Sequence, residues 1–427
     1  MIIHLSRETG WVFARIGLTV VPCFLIIKIA FIKHGKHHQK RSTPMIDVSK
    51  RAHEIQASPI RRIFDLASRT EGLTRLEVGQ PDFNTPDYIL EKAKEFMAKG
   101  FIGYSPTNGL PQTRNAVADR LFQDYGIRYD PNREIVITHG ASGALHLALR
   151  ALVNPRDEVM RPNPGFPSYD GIIKDADGVP VLYPLLPERG FSIDFPAFEK
   201  LITPRTKVVI VNSPNNPTGG ILTKEQLEKL CDLAEKHNFV ILSDEAYDKI
   251  IFDQPHIPTV SCAKDSSKVI TVGSASKDYA MCGWRIGFAA GPQHIIGEIV
   301  KFQSLTSICP SILAQHAYTA ALTGPQDATT AMKLEFQRRR DYFVSELNKV
   351  PGFKCSLPQG AFYVMADISA HNKDDWAFTE LMIQKVKISC IPGSSFGPAG
   401  AGFIRLSYAT SMEMLQEAIT KLHRYFG

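Results

Sequence analysis

Lys277 stands in the run SASKDYAMCGWRIG, residues 274–287, and its neighbours decide what its amine can do. An aldehyde cofactor that carries a phosphate needs a primary amine for attachment, and hydroxyl groups with a cation for the phosphate. Lys277 meets the first need by forming a Schiff base; Ser274, Ser276 and Arg285, the last eight positions beyond the lysine, meet the second. The plainer alternative is a surface lysine in a Ser/Gly loop, and the rest of the chain decides between them.

Three short Val/Ile-rich runs come at βαβ intervals: VVIVN near Val208, FVILS near Phe239 and VITVG near Val269. Near-continuous hydrophobicity of this kind belongs to strands buried on both faces of a parallel sheet. Between the first two, Thr223 opens a helix, with Gln226 as capping-box partner and Leu227, Leu230 and Ala234 on one face. An earlier strand, EIVITHG, leads straight into the helical pattern ASGALHLALRAL. The alternation predicts an α/β large domain, a mostly parallel sheet flanked by helices, with ligands beyond the carboxyl ends of the strands. At those ends lie the run SPNNPTG that closes on Gly219, then Asp244, then Ser274. After about residue 310 the pattern becomes a long polar helix, a strand at FYVMAD, a helix near Phe378, a strand at GFIRLSYA and a last helix through Leu415, Ile419, Leu422 and Phe426. That is a smaller α+β domain.

Taken together these motifs, from about Ile46 to the C-terminus, resemble the class I and II aminotransferases, fold-type I enzymes that use pyridoxal 5'-phosphate. The resemblance implies a role for each matching residue. Asp244, in SDEAY, faces the pyridine nitrogen and keeps it protonated, because a buried carboxylate stabilises the cation. Tyr247 and Asn216 hydrogen-bond the ring's phenolic oxygen. Gly140, Ala141 and Ser142 form the phosphate turn at a helix N-terminus, and Arg285 adds a charge-assisted pair to the same phosphate. Phe166 takes the stacking position on the ring, with Tyr169 near Asp244. Arg405 grips the substrate α-carboxylate, assisted by Asn216 and the backbone of Gly79. Tyr104 reaches the phosphate of the neighbouring subunit, which implies a homodimer.

The implied activity is amino-group transfer between an L-amino acid and a 2-oxo acid, with Lys277 as base and acid. Two departures bear on it. Ser142 stands where some aspartate-using members carry a lysine, although Arg61 and Arg62 could restore a cation, and Asp278 and Tyr279 follow the lysine where a small hydroxyl residue and Phe are frequent. A C–S β-lyase, a ring-closing synthase and a membrane-tethered subunit with a vestigial site are the competing readings. A transcription regulator built on the same body would need a helix-turn-helix module, for which the 44 residues ahead of it are too few.

The chain has 427 residues, 44% hydrophobic and 22% charged, which fits a globular enzyme of two domains around a cleft. Of its 49 Lys/Arg and 43 Asp/Glu, seven and one fall in residues 1–44, so the net charge of +6 belongs to that leader and the body is neutral. No metal ligand set stands out, and a nucleic-acid-binding face on the body has no support. Seven scattered cysteines without a C-x-x-C pair point to reduced thiols and a cytoplasmic enzyme. Residues 1–44 read as an upstream extension, a membrane anchor or a targeting segment; membrane contact is confined to residues 11–32, whose unbroken apolar run, 16–27, is short for a spanning helix. The expected order is this leader, an arm over 45–75 joining the small domain, the large cofactor domain over 76–310 and the small domain over 311–427.

Overall fold

The computed structural model describes residues 16–21, 24–29, 47–55, 59–100 and 102–427. Two compact units result, residues 1–49 and 50–427. In the first, Ile16–Val21 and Phe24–Ile29 pair antiparallel; the remainder of the leader up to residue 46 lies outside the described residues. Among the described residues no helix is long and apolar enough to cross a membrane. The six described cysteines are free thiols.

In the second unit an eight-stranded sheet runs in the order Ile135–Thr138, Gly287–Ala290, Val269–Ser274, Val240–Asp244, Thr206–Asn212, Glu158–Asn163, Val179–Leu186, Ser192–Ile193. The consecutive pairs from Val269–Ser274 to Val179–Leu186 are parallel, while Gly287–Ala290 runs against both its neighbours. Successive side chains of one strand enter different cores, as the apolar runs require. Val208 and Ile210 pack with Leu145, Leu149, Ile296 and Ile299 on one face. Val209 and Val211 pack with Leu230, Leu233 and Phe198 on the other. The helix Lys224–His237 opens on the capping box foreseen from Thr223 and Gln226, and Asn238 in the left-handed region ends it.

The C-terminal part builds a separate core. Tyr363–Asp367, Phe403–Ser407 and Ile391–Pro392 form a three-stranded antiparallel sheet. Phe336, Phe343 and Leu347 of the helix Asp327–Leu347 cover it, together with Leu415, Ile419 and Leu422 of the last helix, Met412–Phe426. The early segment joins this core: Thr74–Arg75 pairs in parallel with Ile388–Ser389, and Ile63 packs on Ile383, Ile391 and Phe396. Residues far apart in sequence, Glu77 and Arg405, are thereby brought within one hydrogen bond of each other.

Phe343 is fully buried in that second core. Phe343→Ala is expected to lower unfolding stability by about 3–5 kcal/mol in a denaturant titration, since the cavity cannot collapse within packed aromatic surroundings.

Candidate active site

Three parallel strands end on polar residues at the same edge of the sheet: Asn212, Asp244 and Ser274. Register sets Asn212 opposite Asp244, and Asp244 opposite Val272 in the strand that leads to Lys277. Asn212 fastens this edge, its Nδ2 donating to the Asp244 carbonyl at 2.9 Å and its Oδ1 accepting from the Asn216 backbone N–H at 2.8 Å.

The Asp244 side chain is buried, with 5% exposure. Its Oδ2 accepts the Tyr169 hydroxyl at 2.7 Å and its Oδ1 the Ala246 N–H at 3.3 Å. Phe166 meets Tyr169 edge to face at 5.5 Å. Burial pushes the Asp244 carboxyl up to about 6; Tyr169 and the Ala246 N–H pull it down and Glu245 pushes it further up, and no cation contributes. A carboxylate in this state is poised for a positive partner.

Lys277 follows Ser274 in the four-residue helix Ala275–Asp278. Its Nζ donates to the Gly79 carbonyl at 2.6 Å, lies 3.6 Å from Cys282 Sγ and stands 5.9 Å from the Tyr247 ring centroid. Tyr247 and Tyr363 share a hydrogen bond between hydroxyls at 3.0 Å. Arg405 is buried over the Tyr363 ring at 4.3 Å, with Phe396 at 5.0 Å. Its guanidinium donates to Asn216 Oδ1 at 3.2 Å and to the Glu77 carbonyl at 2.8 Å. Its Nε has no partner, an orphan donor that an anion would satisfy. Gly79 must lack a side chain, because a Cβ there would stand 2.9 Å from the Tyr363 hydroxyl.

A second group of residues forms an anion cradle. The helix Gly140–Leu152 begins at the end of Ile135–Thr138 without a side-chain cap, leaving its first N–H groups open. A Cβ on Gly140, whose φ is +73°, would come within 2.9 Å of the Arg285 guanidinium, so the cation lies against the helix start. Arg285 also donates to the Cys282 carbonyl at 2.9 Å. Ser274 and Ser276 hydroxyls are 2.9 Å apart and buried. Burial and the Arg285 charge together lower the His139 pKa, a sign of positive potential at this cradle. Ala141 is half-buried and Ser142 exposed on the first turn.

The donors fit a phosphorylated aldehyde with a basic ring nitrogen: an amine, an open helix start beside an arginine, and a buried carboxylate without a cation. Tyr104 stands apart, 83% exposed. Arg62 is engaged elsewhere, by Glu380 at 2.6 Å and the Trp376 ring at 5.1 Å, and Arg61 is exposed. Sequence reasoning passed over Asn212, Tyr363 and Glu77. Asn212 was findable, since it ends a strand as Asp244 does. Tyr363 is set by cross-strand register, which places it diagonal to Arg405.

Asp244 also yields a stability prediction for the cofactor-free protein. Its folded pKa lies above the unfolded value, so the native state holds an extra proton between about 4 and 6; stability is full below that window and declines as pH rises through it. Asp244→Asn removes the buried charge. Thermal or urea unfolding of the two proteins should give equal stability near pH 4 and an advantage for the variant of about 2–3 kcal/mol above pH 7. A gap independent of pH would contradict the assignment.

The family model of aminotransferase class I and II matches residues 71–422. The aromatic-amino-acid aminotransferase 2 of Thermococcus litoralis is 38% identical over 380 residues, 88% of this chain and 97% of that protein. The aspartate aminotransferase of Pyrococcus abyssi matches with the same identity and coverage. Among solved structures, the aspartate aminotransferase of Thermus thermophilus with maleate superposes with a TM-score of 0.84 at 35% identity, over 89% of this chain and 100% of that one. The order of strands, the site at their carboxyl ends and these matches agree: the chain belongs to the class I and II aminotransferases, transferases that use pyridoxal 5'-phosphate.

Proposed function

We propose that Lys277 is the attachment point and the proton carrier of this aminotransferase, that Asp244 faces the ring nitrogen, and that Arg405 with Asn216 and Gly79 receives the substrate α-carboxylate. The observation that carries the reading is the buried Asp244 carboxylate, fixed by Tyr169, in no ion pair with a described residue, and paired in the sheet with Val272, five residues before Lys277. Bound at this site, pyridoxal phosphate supplies the aldehyde for attachment and a ring that accepts charge released at the substrate α-carbon.

The chain's own residues do the remainder. The Tyr247 hydroxyl is held by Tyr363 and the Asn216 backbone by Asn212, while Asn216 Oδ1 accepts from Arg405. Phe166 offers an apolar face, and Gly140, Ala141, Ser142, Ser274, Ser276 and Arg285 anchor the phosphate. Arg405 would fix the carboxylate and so orient the α-hydrogen toward the Lys277 amine, the group that would take up that proton and release it again across the linking nitrogen. Burial of Arg405 between Tyr363 and Phe396 keeps water from competing for the guanidinium.

We assign aspartate or an aromatic amino acid as donor, the substrates in the names of the relatives from Pyrococcus abyssi and Thermococcus litoralis. The homodimer with Tyr104 at the partner's phosphate is supported by exposed apolar side chains on adjoining segments. Tyr104, Ile102, Leu305 and Ile308 are all exposed, and Gln303 Nε2 bonds the Thr107 carbonyl at 2.5 Å, joining the two segments.

Lys277→Ala should lose both transamination and the visible absorbance of the bound cofactor, measured with a panel of amino acids and 2-oxo acids. Pyruvate and ammonia released without an oxo acid acceptor would favour the β-lyase reading instead. Sedimentation should give a dimer, and Tyr104→Phe should weaken cofactor binding by roughly tenfold, the loss of one hydrogen bond; unchanged binding removes Tyr104 from the site.

A further inference from the structure

Asp278, the residue directly after Lys277, is 5% exposed and lines a cavity of about 30 Å³, enough to admit water. The same cavity is lined by Asp248, Lys249, Asp124, Arg120 and Tyr125. Asp248 follows Tyr247 in the turn that begins just after the strand end at Asp244. The cavity therefore lies where the lysine-bearing helix meets the strand end and turn with the other two proposed catalytic groups.

The charges here do not balance if every acid is ionised. Arg120 holds Asp124 at 2.6 and 2.9 Å, and Lys249 bonds Asp124 while lying 3.6 Å from Asp248. Two cations, Arg120 and Lys249, line the cavity with four carboxyls, of which Glu245 is paired with His256 at 2.8 Å, leaving Asp124, Asp248 and Asp278 to the two cations. Asp248 claims the remaining support, since its Oδ2 accepts the Tyr125 hydroxyl at 2.6 Å. Burial alone would raise its pKa, but Lys249 and His256 outweigh that and hold it low. For Asp278, burial and the Asp248 charge both act to raise the pKa well above the carboxylate range. Its Oδ1 is buried and accepts no hydrogen bond. An oxygen that bears a proton and donates it has this environment.

We propose that Asp278 is a positioning residue for Lys277: its neutral carboxyl donates a hydrogen bond to the Asp248 carboxylate and ties the lysine-bearing helix to the turn that follows Asp244 and carries Tyr247. The tie is needed because the helix Ala275–Asp278 is a single turn. Its other anchors, Thr329 Oγ1 to the Asp278 carbonyl at 3.0 Å and the Tyr279 hydroxyl to Gln326 at 2.9 Å, lead to and just before the helix Asp327–Leu347, away from Asp244. The carboxyl pair adds a side-chain link to the strand pairing that sets Asp244 opposite Val272 and places the Glu245 N–H on the Val272 carbonyl at 2.9 Å. The Asp278–Asp248 link rests on the shared cavity, the unpartnered buried Oδ1 of Asp278 and the balance of charges; its consequence for Lys277 rests on the role proposed above.

Asp278→Asn keeps a donor at the same place, whereas Asp278→Ala removes it. In the cofactor-loaded enzyme, Asp278→Ala should lose roughly ten- to a hundredfold in kcat with KM little changed, as expected for a reactive group displaced by a fraction of an ångström. Asp278→Asn should restore most of that loss. The independent readout is infrared: the difference spectrum of wild type minus Asp278→Asn at neutral pH should contain the carbonyl stretch of a protonated carboxylic acid. A spectrum with only carboxylate bands, or equal kcat for the Ala and Asn variants, overturns the proposal. If Lys277→Ala retained turnover, the role of the lysine would fail while the infrared band stood unchanged, so the two failures are distinguishable.

Discussion

The carboxyl of Asp244 is the constraint from which the site follows. It sits at the end of a strand sealed on both faces, and the interactions within its reach are a tyrosine hydroxyl, a backbone N–H and a second acid. A buried anion without a cation is unfavourable for the fold alone, because desolvation is not offset by a charge partner. It becomes favourable once a cationic ring nitrogen lies against it. With Asp244 in the proposed role, cofactor binding would relieve this local cost, and the same interaction would keep the ring able to accept electrons.

Everything that aims at this point depends on the parallel sheet. Strands of equal direction bring their carboxyl ends to one edge, so residues separated by 32 positions, Asn212 and Asp244, hydrogen-bond directly. The arginine that would take the substrate comes from a different core, and reaches the edge because the early segment near Glu77 lies between them. Arg405 repeats the logic of Asp244 with the sign reversed, a buried cation whose Nε awaits an acceptor. Two buried charges of opposite sign, neither in an ion pair with a described residue, are the groups proposed to take the cofactor and the substrate.

Much of this was legible in the sequence because burial on two faces leaves a continuous apolar run, and VVIVN, FVILS and VITVG all became central strands. The capping box at Thr223 and the 4, 3, 4 spacing of the last helix were equally plain, since both are local. Other strands were hidden for physical reasons. Val179–Leu186 contains Pro180 and Pro184, which weaken a strand reading, and Glu158–Asn163 carries Arg161, whose charge is compensated by Asp170 at 2.6 Å. Gly287–Ala290 has four residues and begins inside the arginine motif. In the site, Lys277 was singled out by residue type and spacing, and Asp244 and Arg405 by their match to the family's motifs. Tyr363 and the Asp248–Asp278 pair were not, because they depend on which strands and turns meet, information that no local window holds.

The most direct measurement is the protonation state of the bound cofactor's ring nitrogen, followed by nitrogen NMR with isotopically labelled cofactor as pH is raised. With Asp244 against it, the nitrogen should remain protonated well above the pH at which the free cofactor loses that proton, and Asp244→Asn should abolish the difference. A bound nitrogen that titrates as it does in free solution would contradict the account.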